Sequence, residues 1–163
     1  MNAQRKILTL ETLPVWRAAF RQTGRSLVVT NGCFDLLHAG HVAYLEQARL
    51  NGDALLVGLN SDASVRALKG EGRPLNSETD RAIVLAALEA VDAVCVFPDV
   101  RADLFLASSQ PDVWVKGGDY TPETLNPVER QVVESLGGRI VIIPFVPGKS
   151  TTGIVEKIQR QNP

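Results

Sequence analysis

Five short apolar runs, Leu27 to Thr30, Ala54 to Leu59, Ala93 to Phe97, Val113 to Val115 and Ile140 to Ile143, punctuate the chain, with helix-like segments between them. Runs of this length, rich in apolar residues and bounded by polar ones, read as buried strands. Strands that alternate with helices pair in parallel through right-handed crossovers, and both faces of the resulting sheet must be covered. The predicted fold class is α/β, an open parallel five-stranded sheet with helices on both faces. The helices are expected at Pro14 to Gln22, His41 to Asn51, Asp62 to Leu68, Glu78 to Glu89, Ala102 to Ser109, Pro127 to Leu136 and Thr152 to Gln159. A chain of 163 residues is one domain of ordinary size, read as a helical extension over 1–25 before a core at 26–160.

Composition removes several classes of function. The chain is 45% hydrophobic and 21% charged, with a formal net charge of −1. That balance gives no general field for nucleic acid or an anionic membrane, so neither is an expected partner and any anion site must be local. Two cysteines in apolar surroundings suit reduced thiols in a reducing compartment. Met1 to Leu10 is too polar for a signal peptide or a membrane span, and a cytoplasmic location is expected.

The chemistry concentrates after the first apolar run, in Thr30-Asn31-Gly32-Cys33-Phe34-Asp35-Leu36-Leu37-His38-Ala39-Gly40-His41. A strand followed by a glycine-opened helix presents free N–H groups and a positive helix end to an anion. Gly40 permits close backbone approach. His38 in the loop and His41 in the first helical turn can then face one site, and they are the only two histidines. The plainer alternative is one satisfied loop histidine and one helix-capping histidine. A zinc centre is not expected, because Cys33 and Cys95 lack paired ligand spacing, and no metal ligands are assigned.

Three of the five lysines, Lys69, Lys116 and Lys149, fall in loops expected at the carboxyl edge of the sheet, where ligands bind. Each offers a mobile cation to a polyphosphate, against the default of a solvated surface lysine. Lys69 to Asn76 is Gly-rich with Pro74 inside it, and reads as a mobile active-site loop. Gly117-Gly118-Asp119 admits a base or ribose close to the main chain, or simply makes a tight turn. Ser150-Thr151-Thr152 before an apolar-periodic segment forms a helix cap whose donors can also hold phosphate oxygens. Asp35 orients a turn or a histidine, or holds a magnesium-bound water.

Gly32 to His41 matches the G-x-F-D-x-x-H-x-G-H signature of the cytidylyltransferase-like nucleotidyltransferase superfamily, which has a Rossmann-like fold. Asn60-Ser61-Asp62-Ala63-Ser64-Val65, Leu68-Lys69-Gly70 with Arg73-Pro74, Val115-Lys116-Gly117-Gly118-Asp119-Tyr120 and Ser150-Thr151-Thr152 further resemble the D-glycero-D-manno-heptose 1-phosphate adenylyltransferase family. The resemblance runs from Leu27 to Ile158. It implies transfer of AMP from ATP, with Mg2+, to heptose 1-phosphate, giving an ADP-heptose for lipopolysaccharide or another surface glycan. The chain looks like a stand-alone transferase without the kinase half that accompanies this domain in many bacteria. By the same resemblance His38, His41, Lys69 and Arg81 are the catalytic set, with Arg81 reaching the phosphates. Asn31, Gly32, Cys33, Phe34, Asp35, Gly40, Lys116, Gly117, Gly118, Asp119, Ser150, Thr151 and Thr152 are the nucleotide-binding set, the last three clamping the β- and γ-phosphates. Phe145-Val146 stands where glycerol-3-phosphate cytidylyltransferases carry an Arg-Thr pair, which argues against that substrate. A small-phosphoalcohol cytidylyltransferase and a non-catalytic nucleotide-binding module are the competing readings. Oligomeric state is open, a homodimer included.

Overall fold

The computed structural model describes residues 2–118, 120–121, 123–144 and 151–161, the last without its side chain. Its strands are β1 (Ile7–Leu8), β2 (Leu27–Gly32), β3 (Ala54–Asn60), β4 (Ala93–Phe97), β5 (Val113–Gly117) and β6 (Arg139–Ile143). The helices are α1 (Leu13–Arg21), α2 (Ala39–Arg49), α3 (Asp62–Lys69), α4 (Glu78–Ala87), α5 (Asp103–Ser109), α6 (Pro127–Ser135) and α7 (Thr151–Gln161). All strand pairs are parallel, in the order β1-β4-β3-β2-β5-β6. The sheet thus has six strands instead of the expected five. The sixth, β1, is a two-residue edge strand aligned on Val94 and Cys95, too short to leave a period in the sequence. The segment expected as a helical extension therefore contributes both an edge strand and α1, whose Leu13 is fully buried.

Alternation along the strands sorts the core into two layers. Leu27 and Val29 of β2, Leu56 of β3 and Trp114 of β5 face Leu13 of α1, Phe105 of α5 and Val133 of α6. Val28, Leu55, Val57 and Val115 face Leu45 of α2 and Leu85 of α4. Polar side chains fix where helices begin. Ser61 accepts from the Ser64 N–H at 3.2 Å ahead of α3, and Ser77 from the Asp80 N–H at 3.2 Å ahead of α4. Among the described residues no helix is long and apolar enough to cross a membrane.

This topology locates the site. The chain steps outward from β2 through β3 to β4, then returns to the opposite side of β2 to lay down β5 and β6. The loops leaving β2 and β5 diverge at that reversal, and an open parallel sheet binds ligands in the crevice there. The first loop carries the histidine run; Lys116 and Gly117, expected in the second loop, are instead the last residues of β5, and Gly118 opens that loop.

Candidate active site

The ends of β2 and β5 are braced on both faces. On one, the Trp114 indole N–H donates to Asn31 Oδ1 at 3.0 Å. On the other, the Tyr44 hydroxyl lies 2.6 Å from Thr30 Oγ1 and donates to the Val115 carbonyl at 3.2 Å. Gly117 is required beside that ring, since a Cβ there would lie 2.8 Å from Tyr44. Asn31, expected against the nucleotide, has its oxygen committed to the indole and acts as a brace between strands.

From Gly32 the chain turns through Cys33 and Phe34. Phe34 adopts φ +44°, a left-handed conformation that costs an aromatic residue energy. Its ring packs into the core beside Gly32 and 5.3 Å from the His41 ring, so only its backbone is left to meet a nucleotide. His38 ends the loop in extended conformation and its carbonyl accepts from the N–H groups of His41 and Val42, which starts α2 at Ala39, two residues earlier than expected. The first N–H groups of a helix lack an acceptor within it, and here those of Ala39 and Gly40 lie in the chain between the two histidines. The rings of His38 and His41 stack 3.9 Å apart at 21°, bringing both to one point.

Burial, with a further contribution from the His38 ring, lowers His41 from its ordinary 6.5 to about 4, against the opposing pull of the Leu36 carbonyl. At neutral pH the His41 ring is uncharged, and its single N–H faces the Leu36 carbonyl. The unfolded chain takes up this proton near pH 6.5 and the native state only near 4, so stability is expected to fall on acidification through that window. Urea unfolding at pH 7.5, 6 and 5 measures this. Replacing His41 by Gln should flatten the difference, and an unchanged slope would contradict the burial of a neutral ring.

Asp35 is buried and well hydrogen-bonded. Its carboxylate accepts from Arg73 Nη1 at 2.9 Å and from the N–H groups of Leu75 at 2.8 Å and Asn76 at 3.1 Å, while the Asn76 amide donates to its carbonyl at 2.9 Å. Burial pushes this carboxyl up, but the Arg73 and backbone hydrogen bonds outweigh it and hold it below its usual range. These bonds make Asp35 a turn anchor. The expected mobile loop is accordingly divided. Residues 69–72 are exposed, whereas 73–76 are tied to the histidine loop through Asp35.

The charges meet around Cys33. Burial raises its thiol pKa, and the cations of Lys69, Arg81 and Lys116 bear on the same group. Lys69 closes α3 ahead of Gly70 and is exposed. Lys116 lies over the rings of Trp114 at 5.4 Å and Tyr120 at 5.6 Å. Burial lowers its pKa, partly offset by Glu129. Thr151 at the start of α7 donates to the Leu36 carbonyl at 3.3 Å, which brings the start of α7 against the histidine loop, with Thr152 exposed beside it.

A family model described as cytidylyltransferase-like matches residues 29–156, a span that holds every site residue just described. The chain belongs to the cytidylyltransferase-like family. It is therefore a nucleotidyltransferase. Among curated proteins it is 54% identical over 158 residues to "Bifunctional protein HldE" of Geotalea uraniireducens, covering 97% of this chain and 32% of that protein. The protein of the same name from Pseudomonas fluorescens is 50% identical over 158 residues, covering 97% and 33%. The chain thus spans about a third of the length of these relatives. Among solved structures, a lipopolysaccharide core biosynthesis protein from Thermoplasma volcanium superposes with a TM-score of 0.62 at 26% identity, over 76% of this chain and 98% of that one.

Of the family-derived residues, His38, His41, Gly40, Cys33, Asp35, Lys116, Gly117, Gly118 and Thr151 lie at or against the ends of β2 and β5, whereas Lys69 stands at the end of α3, its charge bearing on Cys33. Gly118, at φ +124°, donates its N–H to Ile143 at 3.0 Å and prolongs the β5–β6 ladder. Asp119 and Ser150, with Lys149 and Phe145-Val146, lie outside the described residues. Arg81 departs from expectation. It is 2% exposed, and its Nε, Nη1 and Nη2 donate to Asn76 O at 3.1 Å, Cys33 O at 2.6 Å and Asp62 Oδ1 at 2.7 Å. Tyr44, Trp114, Asp62 and Asn76 brace the site without having been singled out for that role. Their partners are remote in sequence, and only the Tyr44 position, three residues after His41, gives a local hint.

Proposed function

We propose that the protein transfers AMP from ATP to D-glycero-D-manno-heptose 1-phosphate, releasing pyrophosphate and giving an ADP-heptose for lipopolysaccharide or a related surface glycan. The observation that carries this reading is the stack of His38 and His41 at the start of α2, with Thr151 of α7 hydrogen-bonded to the loop just before them. A phosphate oxygen of the sugar 1-phosphate attacks the α-phosphorus in line, the bond from that phosphorus to the bridging oxygen of the β-phosphate breaks, and the electron pair leaves with pyrophosphate. Positioning and charge stabilisation suffice, with no covalent enzyme intermediate. The two imidazoles and the α2 N–H groups meet the α-phosphate, and Lys69 and Lys116 offset the triphosphate charge. Magnesium enters as part of the Mg–ATP substrate; among the described residues no three His, Cys, Asp or Glu side chains are grouped to hold it. Substrate identity draws support from the relatives named bifunctional protein HldE and the lipopolysaccharide core biosynthesis protein, and a cytoplasmic location from the need for ATP.

The test is a matrix of ATP, CTP, GTP and UTP against heptose 1-phosphate, glycerol 3-phosphate and phosphocholine, read by pyrophosphate release. ATP with heptose 1-phosphate is expected to give the highest kcat/KM. A site that hydrogen-bonds sugar hydroxyls leaves polar groups unpaired with a smaller alcohol, about 1–3 kcal/mol for each one buried. A kcat/KM for CTP with glycerol 3-phosphate at or above that value would overturn the assignment.

A further inference from the structure

Arg81 looks from its place in the sequence like a phosphate ligand, but its surroundings give it different work. All three types of guanidinium nitrogen are engaged by protein oxygens, the side chain is almost fully buried, and the Asp62 carboxylate 2.7 Å away cancels most of the charge it could send outward. A phosphate could reach it only by displacing these partners. Its bonds instead enclose the strained turn. Arg81 holds the Cys33 carbonyl immediately before Phe34 and the Asn76 carbonyl, while Asp35 immediately after Phe34 holds the Asn76 N–H. The loop from Cys33 to Asp35 is thus gripped at both ends by one ring of hydrogen bonds that closes through Asn76. An aromatic residue stays in the left-handed region only where its surroundings over-determine it. His38 and His41 follow within seven residues, and the Phe34 ring itself touches His41.

We propose that Arg81 is a positioning residue for nucleotidyl transfer, holding the left-handed turn at Phe34 and through it the placement of the two imidazoles. The proposal rests on the transferase reading above for its kinetic consequences, but not for its structural ones. A planar fork with three acceptors has no equivalent in a lysine ammonium, so Arg81→Lys keeps the charge and loses the grip.

Arg81→Lys, Arg81→Met and Asp62→Asn form the test set. Imidazole NMR resonances of His38 and His41 are recorded on ligand-free protein, and kcat and KM for ATP are measured separately. The imidazole resonances are expected to move in both Arg81 variants, with kcat falling about ten- to a hundredfold, as for a small displacement of reacting groups, and KM for ATP within about twofold of wild type. Lysine should rescue no better than methionine, and Asp62→Asn should not tighten ATP. Should Arg81→Met fail to fold, Arg81→Lys and Asp62→Asn carry the same readouts. Unmoved imidazole resonances, a KM for ATP raised tenfold with kcat preserved, full rescue by lysine, or tighter ATP binding in Asp62→Asn would each overturn the proposal. Absence of transferase activity in the wild type would instead defeat the functional reading and leave the resonances to decide the role of Arg81.

Discussion

His41→Ala is expected to lower kcat by about 10²- to 10³-fold while the fold survives, because a preorganised donor facing charge that develops in the transition state is worth that much. His41 sits at the open end of α2, half-buried, and its removal leaves the helix start at His38 and Ala39 intact. In the free protein the ring is neutral with its one N–H on the Leu36 carbonyl; negative charge building on the phosphates favours a second proton, which gives the ring a free donor, so the loss should appear in kcat more than in KM for ATP. His38→Ala should behave alike. Since the rings stack 3.9 Å apart they form one unit, and the double variant should cost far less than the product of the singles. Steady-state kinetics with folding checked by circular dichroism decides the matter. Near-native turnover in a folded His41→Ala protein would remove the imidazoles from the mechanism.

The parts of this molecule that could be read in its sequence are those whose cause is local. Strand β4 falls at Ala93–Phe97 as expected, and α6 begins at Pro127 as expected, because apolar runs and Asn-Pro punctuation act over a few residues. The histidine pair was legible because strand, glycine and both imidazoles lie in one contiguous run. Strand β1 was not, since two residues carry no period and its pairing comes from β4, far along the chain. The braces of the site were hidden for the same reason. Trp114 meets Asn31 across 83 positions, Arg81 meets Cys33 across 48, and Arg73 meets Asp35 across 38, distances bridged only by the topology. The loop after α3 shows how composition misleads. Glycines and a proline between 70 and 74 suggest mobility, yet a single carboxylate binds Arg73, Leu75 and Asn76 to the histidine loop. Arg81 errs in the opposite direction, because a cation on an amphipathic helix reads as available and its burial is a tertiary fact.

Asp35→Ala is expected to be strongly destabilising. The substitution removes one acceptor from three donors at once. The Leu75 and Asn76 N–H groups lose their partner, and Arg73 is left beside an apolar methyl group with a side chain only 23% exposed. Truncating one side of a buried ion pair costs about 3–5 kcal/mol, and because Arg73 can swing toward water the lower end, about 3 kcal/mol, is the expected loss. For a domain of this size that corresponds to roughly 6–12 °C in Tm. The acid limb of the stability curve gives a second signature. The folded-state pKa of Asp35 is depressed, so its contribution is present above the unfolded carboxylate value and disappears as pH falls through the folded one. The wild type should therefore lose stability below about pH 4, and Asp35→Ala should lack that increment while being weaker throughout the neutral range. Asp35→Asn keeps one carbonyl oxygen for the backbone donors and loses the ion pair, so it should fall between the two. Thermal unfolding of the three proteins from pH 7 to 3 measures both effects. An Asp35→Ala protein that melts within 2 °C of wild type at pH 7 would mean that the segment 73–76 is held by something other than this carboxylate, and the ring of bonds around Phe34 would lose one of its two grips.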